Sequence, residues 1–282
     1  MHRVNVIADV GSNHDGQINK ALELIRITSD VGANTVKFQL FTADTLWHSS
    51  DARHNTIKAV VLPEYWLPAL KAYADSLSIE FLCTPFSPHA VEVLEKLKVK
   101  RYKIASGDVT YLPLLEVIAE TGKPVVMSTG FSTFDEIDKA LEVLSAGRTR
   151  DVILLHCVGE YPTLPNTANL SSILDLIERY TMPYGYPVGL SSHLKEWWVD
   201  IAAVAYKIHT IEKHIDSYVP GIESKHSLNP MQFIDFVQAV RDMEGAMNKT
   251  IEFSDGERYA QLNYRRDPSD WLRPMQDARQ KR

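Results

Sequence analysis

Two short apolar runs end in histidine: "VGLSSH" closes on His193 and "HTIEKH" on His214. The second run also places Glu212 and Lys213 between Ile211 and Ile215, and such groups are costly to bury without partners. Neighbouring strands lie about 4.8 Å apart, so two inward imidazoles there could share one divalent cation and leave positions open for a reactant. Other apolar runs end in polar residues as well: Asp9, Lys37 with Gln39, Thr84, Lys103 with Ser106 and Asp108, Ser128 with Thr129, and His156. Taken singly, each has a simpler explanation. A lone strand-end histidine is more often a hydrogen-bonded core residue than a ligand, and a lone lysine usually snorkels. Together at one mouth, the lysines and the hydroxyls of Ser106, Ser128 and Ser191 suit an anion carrying phosphate and carboxylate. A metal for an oxygen electrophile beside such a pocket suits carbon–carbon bond formation with a phosphorylated enol.

Only a closed arrangement gives those ends a common mouth. Eight short runs rich in Val, Ile or aromatics read as strands at 4–9, 34–40, 79–84, 101–106, 124–129, 151–157, 187–193 and 209–214. Helical periodicity fills the gaps, as in "INKALELIRITSDVGA", where Ile18, Leu22, Ile25 and Val31 follow one face before Gly32. In "STFDEIDKALEVLSAG", Ser132 is expected to begin an approximate capping box. Eight strand–helix units within residues 1–246 predict an α/β fold of the (β/α)8 TIM-barrel type, which typically takes about 250 residues. A doubly wound sheet is the competitor, but "VGSNHDG" after the first run lacks the glycine pattern of a dinucleotide turn. Residues 41–62 form a long polar connection, expected to be a mobile cover over the site.

The formal net charge of −6 gives no general attraction for nucleic acid or an anionic membrane. Cys83 and Cys157 are the only cysteines and neither belongs to a CxxC, so we expect free thiols in a reducing cytoplasm. No stretch approaches the roughly 20 apolar residues of a membrane span, and the start reads as a strand rather than a secretion signal.

At these residues the sequence resembles the sialic acid synthase family, comprising N-acetylneuraminate synthase and its legionaminate, pseudaminate and spore-coat relatives. The likeness covers residues 4–245 and includes "IADVGSNHDG", "GANTVKFQLF", "FLCTPFS", "YKIASGD", "LLHCVGEYPT", "VGLSSH", "IEKHI" and "PGIESKHSLNP". It implies a transferase that condenses phosphoenolpyruvate with an open-chain amino-sugar aldehyde, giving a 2-keto-3-deoxy sugar acid plus phosphate. By that resemblance His193 and His214 hold a divalent metal, normally Mn2+ with Mg2+ or Co2+ as alternatives, which polarises the aldehyde oxygen. It also implies that Lys37, Thr84, Lys103, Ser106, Ser128 and Ser191 form the phosphoenolpyruvate pocket, with Gln39 beside it and Tyr161 against the sugar.

The sequence departs from the family pattern at positions expected near the sugar. Asp9 and Asp108 replace the glutamates of "AEIG" and "SGE", and Glu223 replaces the aspartate of "PGPD". Gly159 stands where Asn or Ser is usual, and Ser192 replaces the aspartate of "SDH". One carbon moves a carboxylate by about 1.5 Å, enough to break a hydrogen bond, so the expected acceptor differs from N-acetylmannosamine. Family members commonly add a C-terminal antifreeze-like domain that gives an arginine to the partner subunit's sugar site. Residues 247–282 are expected instead to be a tail or arm, with Arg265, Arg266 or Arg273 as candidate sources of that charge, and the assembly a homodimer. Trp197 and Trp198 in "KEWWVD" are candidates for its apolar surface.

Two other functions compete. One is a barrel aldolase or lyase using Lys37 or Lys103 as a Schiff base; the other is a non-catalytic sugar-phosphate-binding relative whose Asp9, Asp108 and Gly159 mark a decayed site.

Overall fold

The computed structural model describes residues 3–247, 253–266 and 268–269. The chain divides into two compact units, Met1–Ala246 and Met247–Arg282.

In the first unit, each of the eight apolar runs becomes a strand: β1 (Asn5–Asp9), β2 (Thr35–Leu40), β3 (Glu80–Pro85), β4 (Tyr102–Ile104), β5 (Val125–Ser128), β6 (Val152–Cys157), β7 (Val188–Ser192) and β8 (Thr210–His214). All pairings are parallel, in the order β3-β2-β1-β8-β7-β6-β5-β4, and β3 and β4 lie side by side where the ring meets. Helices follow the strands, so the architecture is the expected (β/α)8 barrel. Among the described residues no helix is long and apolar enough to cross a membrane.

Strand periodicity explains the polar residues of β8. Side chains alternate between the two faces of a strand. Ile211 and Ile215 join the main core, while Glu212 and His214 face the barrel axis and Lys213 faces the surrounding helices. There Lys213 Nζ meets Asp200 Oδ2 at 2.7 Å, Ser192 Oγ at 3.1 Å and the Leu194 carbonyl. Asp200 lies on the helix Trp197–Val204, so this buried ion pair ties β8 to the element before it.

The barrel axis is filled. Ile7, Leu82, Val126 and Leu155 form a dry inner cluster, each contributing about 1.5–3 kcal/mol by burial. Towards the strands' N-terminal ends, Arg101 clasps Glu80 through two bonds of 2.8 Å and reaches Thr35 Oγ1 at 3.2 Å. Such bidentate pairing fixes geometry as well as charge.

Three expectations need correction. The helix Phe134–Ala146 is capped by Thr133, not Ser132, because Glu136 three residues on closes the reciprocal box. Residues 41–62 are not a structureless cover. They hold the helices Ala43–Leu46 and Ala52–Lys58, capped by Thr42 and Asp51, and His54 Nε2 bonds Asp44 Oδ1 at 2.8 Å. The two tryptophans divide: Trp197 packs edge-on against Phe236, and Trp198 is exposed.

In the second unit, Asp255–Tyr264 is a helix whose N-terminus is boxed by Ser254 and Glu257. That pattern was present in a segment where no period stood out. Arg265 and Arg266 follow this helix, and Arg273 lies outside the described residues.

Candidate active site

At the C-terminal mouth of the barrel is a cavity of about 340 Å³. It is lined by Asp9, Lys37, Gln39, Thr84, Lys103, Ser106, Ser128, Tyr161, Ser191, His193, His214 and Glu223. Those are the residues singled out in the sequence, Asp108 excepted. Asp108 lies behind the lining on the short turn Ser106–Asp108, its Oδ2 buried without a hydrogen-bond partner.

The lysines are not bare cations. Lys37 Nζ lies 2.9 Å from Asp9 Oδ2 and 3.3 Å from Glu212 Oε2, all buried. Lys103 Nζ donates to Ser128 Oγ at 2.6 Å and sits 3.7 Å from Glu212 Oε1, which also accepts from Ser191 Oγ at 2.9 Å. Glu212 therefore bridges both lysines and a serine. The sequence marked it as costly to bury without giving it a role; the cost is met by these partners.

Electrostatics separate the two lysines. Burial disfavours charge on Lys37, but Asp9 and then Glu212 overcome it and hold the ammonium above the usual lysine range. On Lys103 burial dominates, with Glu212 opposing, and its proton is held less tightly than on an ordinary lysine. Asp9 is held well below the carboxylate range because Lys37 and then His214 outweigh its burial. Burial pushes Asp108 up to about 6, with Lys103 opposing. The hydroxyl of Thr84 is buried and unpartnered, and Ser106 Oγ accepts from the Gly130 N–H at 3.0 Å.

The opposite wall is aromatic and imidazole-rich. His193, one residue beyond β7, accepts or donates at Nδ1 with the Val158 carbonyl at 2.9 Å. A carbonyl can only accept, so Nδ1 carries the proton and Nε2 keeps its lone pair. Burial, then His214, lowers its pKa to about 2, so the ring is neutral. His214 lies 3.2 Å from Asp9 through Nε2 and 3.0 Å from Glu223 through Nδ1, and these carboxylates outweigh burial and raise its pKa. The His193 and His214 ring centres are 5.4 Å apart, and Tyr161 stacks on His193 at 3.9 Å.

Two further cavity residues had been passed over. His226 belongs with His214 and Glu223 to a set whose donor atoms all lie within 4.8 Å of one another. Its signal in the sequence is the Glu-x-x-His spacing of "PGIESKHSLNP". Phe131 projects over the mouth from a turn with φ of 45°, packed on Gly159. No periodic pattern marks such a turn.

The altered positions sort by strand face. Asp9 and Glu223 meet at His214 inside the cavity. Ser192 instead faces the helices, donating to Asp200 Oδ1 at 2.7 Å, which corrects the expectation that it borders the sugar.

A family model described as the NeuB family matches residues 24–252. An uncharacterized protein of Methanocaldococcus jannaschii is 36% identical over 85% of this chain and 70% of its own length. The N,N'-diacetyllegionaminic acid synthase of Campylobacter jejuni is 32% identical over 93% of this chain and 83% of its own. Among solved structures, the N-acetylneuraminic acid (sialic acid) synthetase of Leptospira borgpetersenii superposes with a TM-score of 0.84 at 30% identity, covering 94% of this chain and 93% of that one. With most of its length matched by the family model and by these relatives, the chain is a member of the NeuB family.

Proposed function

We propose that this protein condenses phosphoenolpyruvate with the open-chain aldehyde of an amino sugar, giving a sialic-acid-like 2-keto-3-deoxy sugar acid and phosphate. The observation that carries this reading is one cavity with two faces: buried Lys37 and Lys103 among hydroxyls on one side, His193 and His214 beside Tyr161 on the other. Named synthases of diacetyllegionaminic and pseudaminic acid among the relatives support it.

Lys37, Lys103, Thr84, Ser106, Ser128 and Ser191 would hold the phosphate and carboxylate, Thr84 with a hydroxyl that has no other buried partner. The enol carbon attacks the aldehyde carbon, water adds at C2, and phosphate departs with cleavage of its bond to carbon. Glu212, between the two lysines, is placed to take the proton of that water. Gln39 and Tyr161 line the acceptor's side, with Asp9 and Glu223 holding His214 between them.

A divalent ion belongs to the same reading, Mn2+ with Mg2+ or Co2+ as alternatives, and the residues fit one. His193 presents a neutral nitrogen, and His214 is oriented by carboxylates as metal-ligating histidines usually are. When bound, the ion supplies Lewis acidity toward the aldehyde oxygen. It also supplies positive charge, since Asp9 and Glu212 already offset the two lysines that must receive a polyanion.

Incubating the protein with phosphoenolpyruvate, divalent ions and a panel of aldoses, with phosphate assay and product mass spectrometry, tests the proposal. Phosphate release that needs both substrates, with a product heavier than the sugar by the pyruvyl unit, supports it; no release with any aldose overturns it. The lowered proton affinity of Lys103 favours one rival, a Schiff-base lysine. Borohydride trapping of a carbonyl substrate on Lys103, with chelator leaving turnover untouched, would establish that rival. A cytoplasmic homodimer completes the reading, supported by the exposed Trp198.

A further inference from the structure

We infer that His226 and Glu223 bind the divalent ion together with His193 and His214, making a centre of three imidazoles and one carboxylate. This rests on the metal-dependent reading above and extends it.

The separations suit a shared ion. A ring nitrogen about 2.1 Å from a metal puts the ring centre about 3.2 Å away, so two rings on one ion have centres about 4.5–6.4 Å apart. The three ring pairs fall inside that range: His214–His226 at 4.7 Å, His193–His214 at 5.4 Å and His193–His226 at 6.0 Å. Glu223 Oε2 lies between two of them, 3.0 Å from His214 Nδ1 and 3.9 Å from His226 Nε2.

The segment carrying Glu223 and His226 is built to hold them. Asn13 Oδ1 accepts from the Glu223 N–H at 2.9 Å, while its Nδ2 donates to the Ile215 carbonyl and Ser227 Oγ. Ser227 Oγ returns to the Glu223 carbonyl at 2.8 Å, and Lys195 Nζ donates to the carbonyls of Ser224 and Ser227. Glu223 Oε1 accepts from the Ser12 N–H at 3.1 Å, and its carboxylate fills the space beside Gly11, where φ is 52° and a Cβ would collide with it. Ligands fixed before the ion arrives cost less to order, which favours tight binding.

Nitrogen-rich donor sets favour later divalent metals over Mn2+. The consequence is a preference for Co2+ over Mn2+, set by His226.

Chelator-stripped protein titrated with Co2+ and Mn2+, followed by calorimetry and by visible absorption of the cobalt form, tests this. One equivalent of Co2+ should bind more tightly than Mn2+. Since loss of an outer-shell partner alone costs 10–100-fold, His226→Ala and the size-conserving His226→Gln should each weaken Co2+ at least about tenfold and alter its spectrum. Unchanged affinity and spectrum in both variants, with binding lost in His214→Ala, would overturn the role of His226 and leave the two-histidine reading standing. No binding of either ion to the unaltered protein would remove both.

Discussion

The Phe131 ring lies on Gly159 with no space between them: a Cβ at position 159 would collide with the edge of the ring. Phe131 lines the cavity at its exposed rim and holds a left-handed backbone conformation, which a side chain disfavours by roughly 1–2 kcal/mol. The absent side chain at 159 and the present one at 131 are thus two halves of one rim contact.

Gly159→Asn should therefore displace Phe131 and act on the sugar acceptor. We expect a several-fold change in KM for the acceptor with that for phosphoenolpyruvate unchanged, and Phe131→Ala in the same chain should relieve the collision. Steady-state kinetics of the single and double variants check this; equal shifts for both substrates would count against a rim role.

His214→Ala should release the bound divalent ion and abolish condensation. The ring meets Asp9 and Glu223 at once, so its removal also leaves two carboxylates facing each other. Metal analysis after desalting, paired with phosphate release, checks both effects; full metal content at full rate would remove the assignment.

Asp108 gives the protein a pH signature. Its folded pKa of about 6 stands above the ordinary 3.8, because burial disfavours its charge. The folded state then holds the proton more tightly than the unfolded chain, so this group's contribution is complete below about 4 and is lost as pH rises through about 6. Asp108→Asn should match the unaltered protein near pH 4 and exceed its stability by roughly 1–3 kcal/mol at pH 7.5. Urea unfolding across that range checks the sign.

Removing one partner of the buried Lys213–Asp200 pair leaves an uncompensated charge. Asp200→Ala should cost about 3–5 kcal/mol, and adding Lys213→Met should recover most of it. Denaturant midpoints of the single and double variants test this; full additivity would contradict the coupling.

Much of this was legible because strand ends combine two independent signals, apolar periodicity and a terminal polar group. That is why Lys37, Lys103, Ser128 and His214 could be named before any geometry. What escaped depends on facing and on turns. Glu212 and Lys213 are adjacent in sequence, yet one bridges the cavity lysines and the other anchors a helix. Only the strand's phase tells them apart, and Ser191 and Ser192 divide in the same way. His226 lies on an irregular connection, and Phe131 on a left-handed turn, where no repeat exists to read.

The clasp of Arg101 on Glu80, with four aliphatic side chains stacked above it, makes the chamber a blind shaft. Whatever rests against the lysines must arrive ahead of whatever rests under Phe131 and Tyr161, and must wait for it to leave. The closed floor thereby dictates a queue, with the enol phosphate admitted first and the sugar second.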